Sequence, residues 1–128
     1  MKEGGKNMEI KIKFEKEEIE CEIFETELGK KIYEKLPFNS KARLWGKEIY
    51  FEIPVSSEIK NPKNEVEKGD IGYWPDGKCM CLFFGSTPIS KGEKIIPASS
   101  VEVIGKIKSD LKILENIKSG EKIIVEKK

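Results

Sequence analysis

The architecture of this chain follows mainly from residues 69–90, which read Gly-Asp-Ile-Gly-Tyr-Trp-Pro-Asp-Gly-Lys-Cys-Met-Cys-Leu-Phe-Phe-Gly-Ser-Thr-Pro-Ile-Ser. Two apolar runs, 71–74 and 79–84, flank a Trp-Pro-Asp-Gly turn, and a Gly-Ser-Thr-Pro break follows the second run. Turn residues between two short apolar runs are typical of paired strands. The stretch therefore predicts part of a closed or strongly curved β-sheet with aromatic side chains on both faces.

The remaining segments extend this prediction over the whole chain. Residues 1–7 have little apolar content and are predicted to form a mobile tail, and residues 8–128 a single domain. About eight strands and two short helices without a repeat indicate one β-barrel or sandwich, of which a barrel removes the exposed sheet edges. The predicted strands are 8–14, 19–23, 42–45, 48–55, 71–74, 79–84, 101–107 and 123–125.

Both helices are predicted from capping signals. Thr26 is a candidate N-cap for a helix that ends before Pro37, and Ser109 is a candidate N-cap for one that ends at Gly120. The polar segment 56–68 is predicted to be a long connection. Such a loop is either functional or disordered, and the sequence leaves both open.

The charge pattern excludes several classes of protein. The 128 residues carry 24 basic and 23 acidic side chains, which are interleaved and leave a net charge of +1. A nucleic-acid-binding protein would gather its basic residues on one face, so we expect no nucleic-acid partner. No apolar run approaches the roughly 20 residues of a membrane span, and the charged start differs from a signal peptide. We expect a cytoplasmic protein without a membrane partner.

Three motifs are similar to those of small, uncharacterised prokaryotic cyclophilin-like proteins, which are distant relatives of cyclophilin. They are Trp-Gly-Lys-Glu-Ile-Tyr-Phe at 45–51, Gly-Asp-Ile-Gly-Tyr-Trp-Pro at 69–75 and Phe-Phe-Gly-Ser-Thr-Pro at 83–88. The resemblance covers roughly Met8 to Lys108. It implies a mainly β fold, a closed eight-stranded barrel with two short α-helices, and a groove on the outer face of the barrel.

The catalytic residues of prolyl isomerases transfer poorly to this chain. Those enzymes use an arginine after a Phe-His pair, whereas Arg43 follows Lys-Ala. By resemblance the aromatic residue that cradles proline maps onto Phe84, and Leu82 stands where the isomerases have glutamine. The histidine of their groove has no counterpart, because the chain contains none. The resemblance thus implies a more apolar groove.

Strand alternation divides residues 79–84 into two apolar sets. By the resemblance, Cys79, Cys81 and Phe83 fill the barrel while the alternate set of Met80, Leu82 and Phe84 lines the groove. The alternative is that both faces are simply packed. The candidate ligand-binding residues are Arg43, Tyr50, Trp74, Leu82 and Phe84.

Two of these candidates also have an ordinary structural interpretation. Arg43 can form a surface ion pair with one of the many glutamates, and Trp74 can simply pack at the turn that follows it. Three cysteines without a fourth cysteine or a histidine do not form the usual set of zinc ligands, so buried thiols are expected. We expect no metal, no cofactor and no conventional catalytic set.

The sequence leaves three functional hypotheses. The first is a non-catalytic module that binds a peptide or small molecule in an apolar groove on the barrel face. The second is a weak peptidyl-prolyl cis-trans isomerase, in which Arg43 polarises the amide and Phe84 holds the proline ring. The third is a protein–protein interaction or assembly domain with an exposed aromatic patch.

Overall fold

A computed structural model describes residues 7–128, so the tail predicted at 1–7 lies almost wholly outside the described residues. Over 7–128 the chain forms nine strands, one α-helix and one 3₁₀ helix. The helices are α1, Glu27–Glu34, and the 3₁₀ helix Leu111–Asn116. The strands are β1 Met8–Lys13, β2 Glu18–Ile23, β3 Phe38–Lys41, β4 Arg43–Leu44, β5 Glu48–Glu52, β6 Asp70–Trp74, β7 Cys79–Phe83, β8 Glu102–Ile107 and β9 Lys122–Lys127.

All nine strands of this region belong to one antiparallel sheet with the order β3-β9-β1-β2-β8-β6-β7-β5-β4. The sheet curls until its two ends meet, where the Ser40 hydroxyl donates a hydrogen bond to the carbonyl oxygen of Glu52 over 2.6 Å. The predicted mainly β, barrel-like fold with two helices is confirmed. The ninth strand, which was not predicted, is β3. It contains a single apolar residue, Phe38, so its sequence shows no alternation of apolar and polar residues.

The predicted cap of the first helix is confirmed, and that of the second is wrong. The Thr26 hydroxyl accepts a hydrogen bond from the Gly29 amide over 3.0 Å and so begins α1. Asp110, not Ser109, caps the 3₁₀ helix, because the Ser109 hydroxyl instead accepts a hydrogen bond from the Glu20 amide. In the part of the chain described, neither helix has the length and apolar character that crossing a membrane requires.

The pairing and burial of the central strands show which of their faces points into the barrel. Leu82 lies opposite both Ile49 and Ile71, and Met80 lies opposite Phe51 and Tyr73. All of these side chains are fully or almost fully buried in the main core. Because directly opposed residues of a sheet point to the same face, the Met80 set must fill the barrel. The predicted assignment of the two faces of β7 is therefore inverted.

The outer face of β7 has its own smaller core. Cys79, Cys81 and Phe83 pack there with Val66, Ile95 and Val101, and Trp74 and Tyr50 lie at its edge. The segments 56–68 and 85–100 cover this face, and they are joined to their neighbours by backbone pairs between Val66 and Ile95 and between Lys63 and Val101. The connection 56–68 is thus an ordered covering layer.

Candidate functional site

The site begins at a tight hairpin between β4 and β5. Trp45 and Glu48 exchange two backbone hydrogen bonds of 2.9 and 3.1 Å, which leaves Gly46 and Lys47 as a two-residue loop. Gly46 has a φ of +59°, as expected for the first loop position of a type II′ turn. A Cβ at Gly46 would also lie 2.8 Å from both the Pro88 ring and the carbonyl oxygen of residue 86.

This turn fixes which side chains share a face. It places Trp45 opposite Glu48, and the next pair outward on that face is Arg43 opposite Tyr50. All four side chains therefore project from the outer face of the sheet. The face continues into β7, where Cys81 lies opposite Tyr50.

Next to Cys81, on the neighbouring strand, the outer face has a glycine and therefore no side chain. Gly72 of β6 lies opposite Cys81, and a Cβ at Gly72 would lie 2.9 Å from a methyl carbon of Val101. The missing side chain lets residues around Val101 approach the sheet. The covering segment therefore forms the far wall of a depression, and the sheet forms its floor.

The depression is a pocket of about 240 Å³. Its walls come from the hairpin, from β6 and β7, and from the segment that precedes β8. The lining residues are Arg43, Trp45, Glu48, Tyr50, Trp74, Cys81, Pro97, Ala98, Ser99 and Val101. The pocket thus combines aromatic walls, small loop residues and two charged groups.

Three of the five predicted site residues meet in this pocket, and two do not. Arg43, Tyr50 and Trp74 all line it. Leu82 has no exposed surface, and Phe84 is 9% exposed within the main core. Both residues are corrected from groove lining to barrel interior, since the register of β7 turns its Met80 set inward.

Glu48 is the site residue that the sequence reasoning missed. It is only 6% exposed, although it follows a turn in a highly charged chain. Burial raises the pKa of its carboxyl group to about 7, and a hydrogen bond from the Cys81 thiol partly opposes that rise. The sequence does contain one indication of its position. Glu48 lies two residues before Tyr50 on β5, and side chains two residues apart on a strand share a face.

Trp74 lines the pocket and carries a buried hydrogen-bond donor without a partner in the described part of the chain. Its indole Nε1 is buried and has no hydrogen-bond partner among residues 7–128. Gly77 makes room for the ring, because a Cβ there would collide with it. Buried donors without partners are rare in folded proteins.

Two other features limit the chemistry of the site. Across residues 7–128, no three His, Cys, Asp or Glu side chains are grouped in a way that could hold a metal ion. The three cysteines are free and buried. Burial also raises the pKa of the Cys81 thiol well above its usual value, so this thiol is a poor nucleophile.

A nearly closed antiparallel barrel with a pocket on its outer face defines a cyclophilin-like architecture. The sequence agrees, because residues 8–126 match the profile of the family described as Cyclophilin-like. The chain therefore belongs to the cyclophilin-like family. It is also similar to a hypothetical protein from Archaeoglobus fulgidus known from a solution structure, with 44% identity, a TM-score of 0.81 and 100% of each chain covered. The comparison with curated proteins found no match.

Proposed function

We propose that this chain is a non-catalytic binding module that takes a peptide segment or a small molecule into the pocket on its outer barrel face. The observation that carries the proposal is the convergence of Arg43, Tyr50 and Trp74 on one pocket. Mostly apolar pockets with a few convergent polar groups are the usual form of a ligand site.

The pocket supports a more polar ligand than an apolar groove would. Arg43 supplies a fork of donors at an exposed edge, and Glu48 supplies a buried carboxyl group. Aromatic rings from Trp45 and Tyr50 add flat apolar surfaces to the same pocket. The ligand therefore needs an apolar body with polar groups at defined places.

Chemical shift perturbation in NMR spectra, recorded with a fragment library and a set of short proline-containing peptides, tests the proposal. We expect ligands to shift the indole N–H signals of Trp45 and Trp74. The variant Ser99→Trp fills the pocket from its exposed rim and should abolish those shifts, whereas Ser56→Trp, on an exposed site outside the pocket, should retain them. Shifts that persist in Ser99→Trp would place binding elsewhere.

A weak prolyl isomerase remains a second candidate, because Arg43 lines the same pocket as the aromatic residues. Phe84 has no part in it, since that ring packs in the barrel core. A protease-coupled assay with a proline peptide tests this candidate. Any activity should fall at least tenfold in Arg43→Ala and persist in the neighbouring surface variant Lys41→Ala; equal rates in the two would exclude it.

An assembly domain with an exposed aromatic patch receives no comparable support. The large apolar side chains most exposed within residues 7–128 are Leu44, Ile89 and Ile124. None of them is aromatic. Scattered single apolar residues on a surface are ordinary and do not mark an interface.

A further inference from the structure

Two opposite charges line one wall of the pocket without neutralising each other. Arg43 lies directly opposite Tyr50, and Glu48 lies two residues from Tyr50 on the same face. Diagonal neighbours of this kind are about 7–8 Å apart in antiparallel sheets. The two residues nevertheless form no ion pair among those found in residues 7–128.

The carboxyl group of Glu48 is more buried than the Arg43 guanidinium, and within residues 7–128 it has no ion-pair partner. The residue is 6% exposed and lines the pocket together with Trp45, which lies opposite it in the hairpin, and Tyr50, which lies two residues along β5. A buried carboxylate is costly unless a cation or several donors compensate it. Aromatic faces are also favourable surroundings for an ammonium group. The surroundings of Glu48 are thus complementary to an organic cation.

The pocket also contains a cationic side chain. Arg43 lines the pocket as an exposed residue and belongs to none of the ion pairs found in residues 7–128. Arginine binds carboxylates through two parallel hydrogen bonds. The same pocket therefore calls for an anionic or strongly accepting group beside a cationic one.

We infer that the pocket binds a small zwitterion, whose ammonium group meets Glu48 and whose carboxylate meets Arg43. The inference rests on the proposed function and names the ligand class of that same site. It explains why a carboxyl group and a guanidinium group share one pocket while remaining apart. No covalent step is involved.

Binding should be coupled to proton release from Glu48. The ionisable groups that face it are Arg43 on β4, Tyr50 on β5, and Cys81 and Cys79 on β7. The lining residues of β6 and of 97–101 carry no ionisable side chain. With the pKa of the free carboxyl group near 7, an ammonium ligand selects the ionised form. Affinity should therefore rise between pH 6 and pH 8.

Three linear probes test the inference by isothermal titration calorimetry. They are 5-aminopentanoate, which carries both charges, pentylamine, which carries the cation alone, and pentanoate, which carries the anion alone. We expect 5-aminopentanoate to bind at least tenfold more tightly than either relative at pH 8, and more weakly at pH 6. Buffers of different ionisation enthalpy should reveal the released proton.

Two variants assign the ends of the ligand. Glu48→Gln should weaken 5-aminopentanoate at least tenfold and remove the pH dependence, whereas Glu52→Gln, exposed on the same strand, should change neither. Arg43→Met alters an exposed residue that should not disturb folding, and it should reduce 5-aminopentanoate to the affinity of pentylamine.

The inference is overturned if pentanoate equals the zwitterion, or if Glu48→Gln or Arg43→Met binds it as tightly as the original chain. The results that would exclude the zwitterion differ from those that would exclude the proposed function. If none of the three probes binds while library fragments or peptides still shift the Trp74 signal, the zwitterion is excluded and the binding module stands. If nothing shifts that signal, both are excluded.

Discussion

The Tyr73 hydroxyl donates a hydrogen bond of 2.7 Å to the carbonyl oxygen of Val55. Tyr73 has no exposed surface, and Val55 is 4% exposed. The bond thus joins β6, inside the barrel, to the residue at which the covering segment 56–68 begins. A side chain of the core holds the start of that segment.

We expect Tyr73→Phe to lower the free energy of unfolding by about 1–3 kcal/mol, because the buried Val55 carbonyl loses its donor. Urea denaturation measures the change. Tyr33→Phe, on the partly exposed face of α1, is the control and should change stability by less than about 0.5 kcal/mol. Equal effects of the two variants would show that the bond contributes nothing.

Leu82→Ala should lower the free energy of unfolding by about 2–5 kcal/mol, since it opens a cavity in the barrel core. The matched control is Leu44→Ala on β4, where the side chain is 39% exposed and the expected loss is below about 0.5 kcal/mol. Similar losses measured by denaturation would contradict the inward position of Leu82.

Gly46→Ala and Gly92→Ala separate backbone strain from steric clash. Gly46 has a φ of +59° and Gly92 a φ of +61°, so alanine should cost about 1–2 kcal/mol at either. Only at Gly46 would the new Cβ meet neighbours, since nothing lies within 4 Å of it at Gly92. We expect urea denaturation to give the larger loss for Gly46→Ala; the reverse order would refute the close approach of 86–88 to the hairpin.

Glu48 should make the protein less stable as the pH rises. Its pKa is about 7 in the folded chain against 4.5 without burial, so the folded state binds the proton more tightly. The stabilisation is complete below about pH 4.5 and is lost as the pH passes 7, by roughly 3 kcal/mol. Urea midpoints at pH 4.5, 6 and 8 should show a decline that Glu48→Gln removes and Glu52→Gln retains. A parallel decline in Glu48→Gln would exclude Glu48 as its source.

The thiols should react only through opening of the fold. Cys21, Cys79 and Cys81 are all buried, and burial raises the pKa of Cys21 to about 12. Labelling with a thiol reagent should be slow in the native protein and complete in denaturant. It should accelerate in Leu82→Ala if opening is in rapid equilibrium. Fast labelling of the native chain would contradict this burial.

The sequence was sufficient for elements with a strong local signal. Alternation marked the first hairpin, and Thr26 with Pro37 bounded α1, because caps and breakers act within a few residues. It was insufficient for β7, where both alternating sets are apolar. A shift of one residue in register exchanges the faces, and no local feature decides between them.

The site was predicted only in part for the same reason. Arg43, Tyr50 and Trp74 were found because arginine and aromatic residues are informative in themselves. Glu48 was missed because a glutamate beside a turn resembles any other surface charge. Its surroundings include residues from 97–101, which line the same pocket although they are distant in sequence.

The place of β9 has a consequence for synthesis of the protein. Lys122–Lys127 pairs with β1 on one side and β3 on the other. While the chain is still being translated, β1 and β3 each have an edge that lacks its hydrogen-bonded partner strand. The barrel can therefore close only after residue 127 has left the ribosome, and until then those edges need protection from other nascent chains.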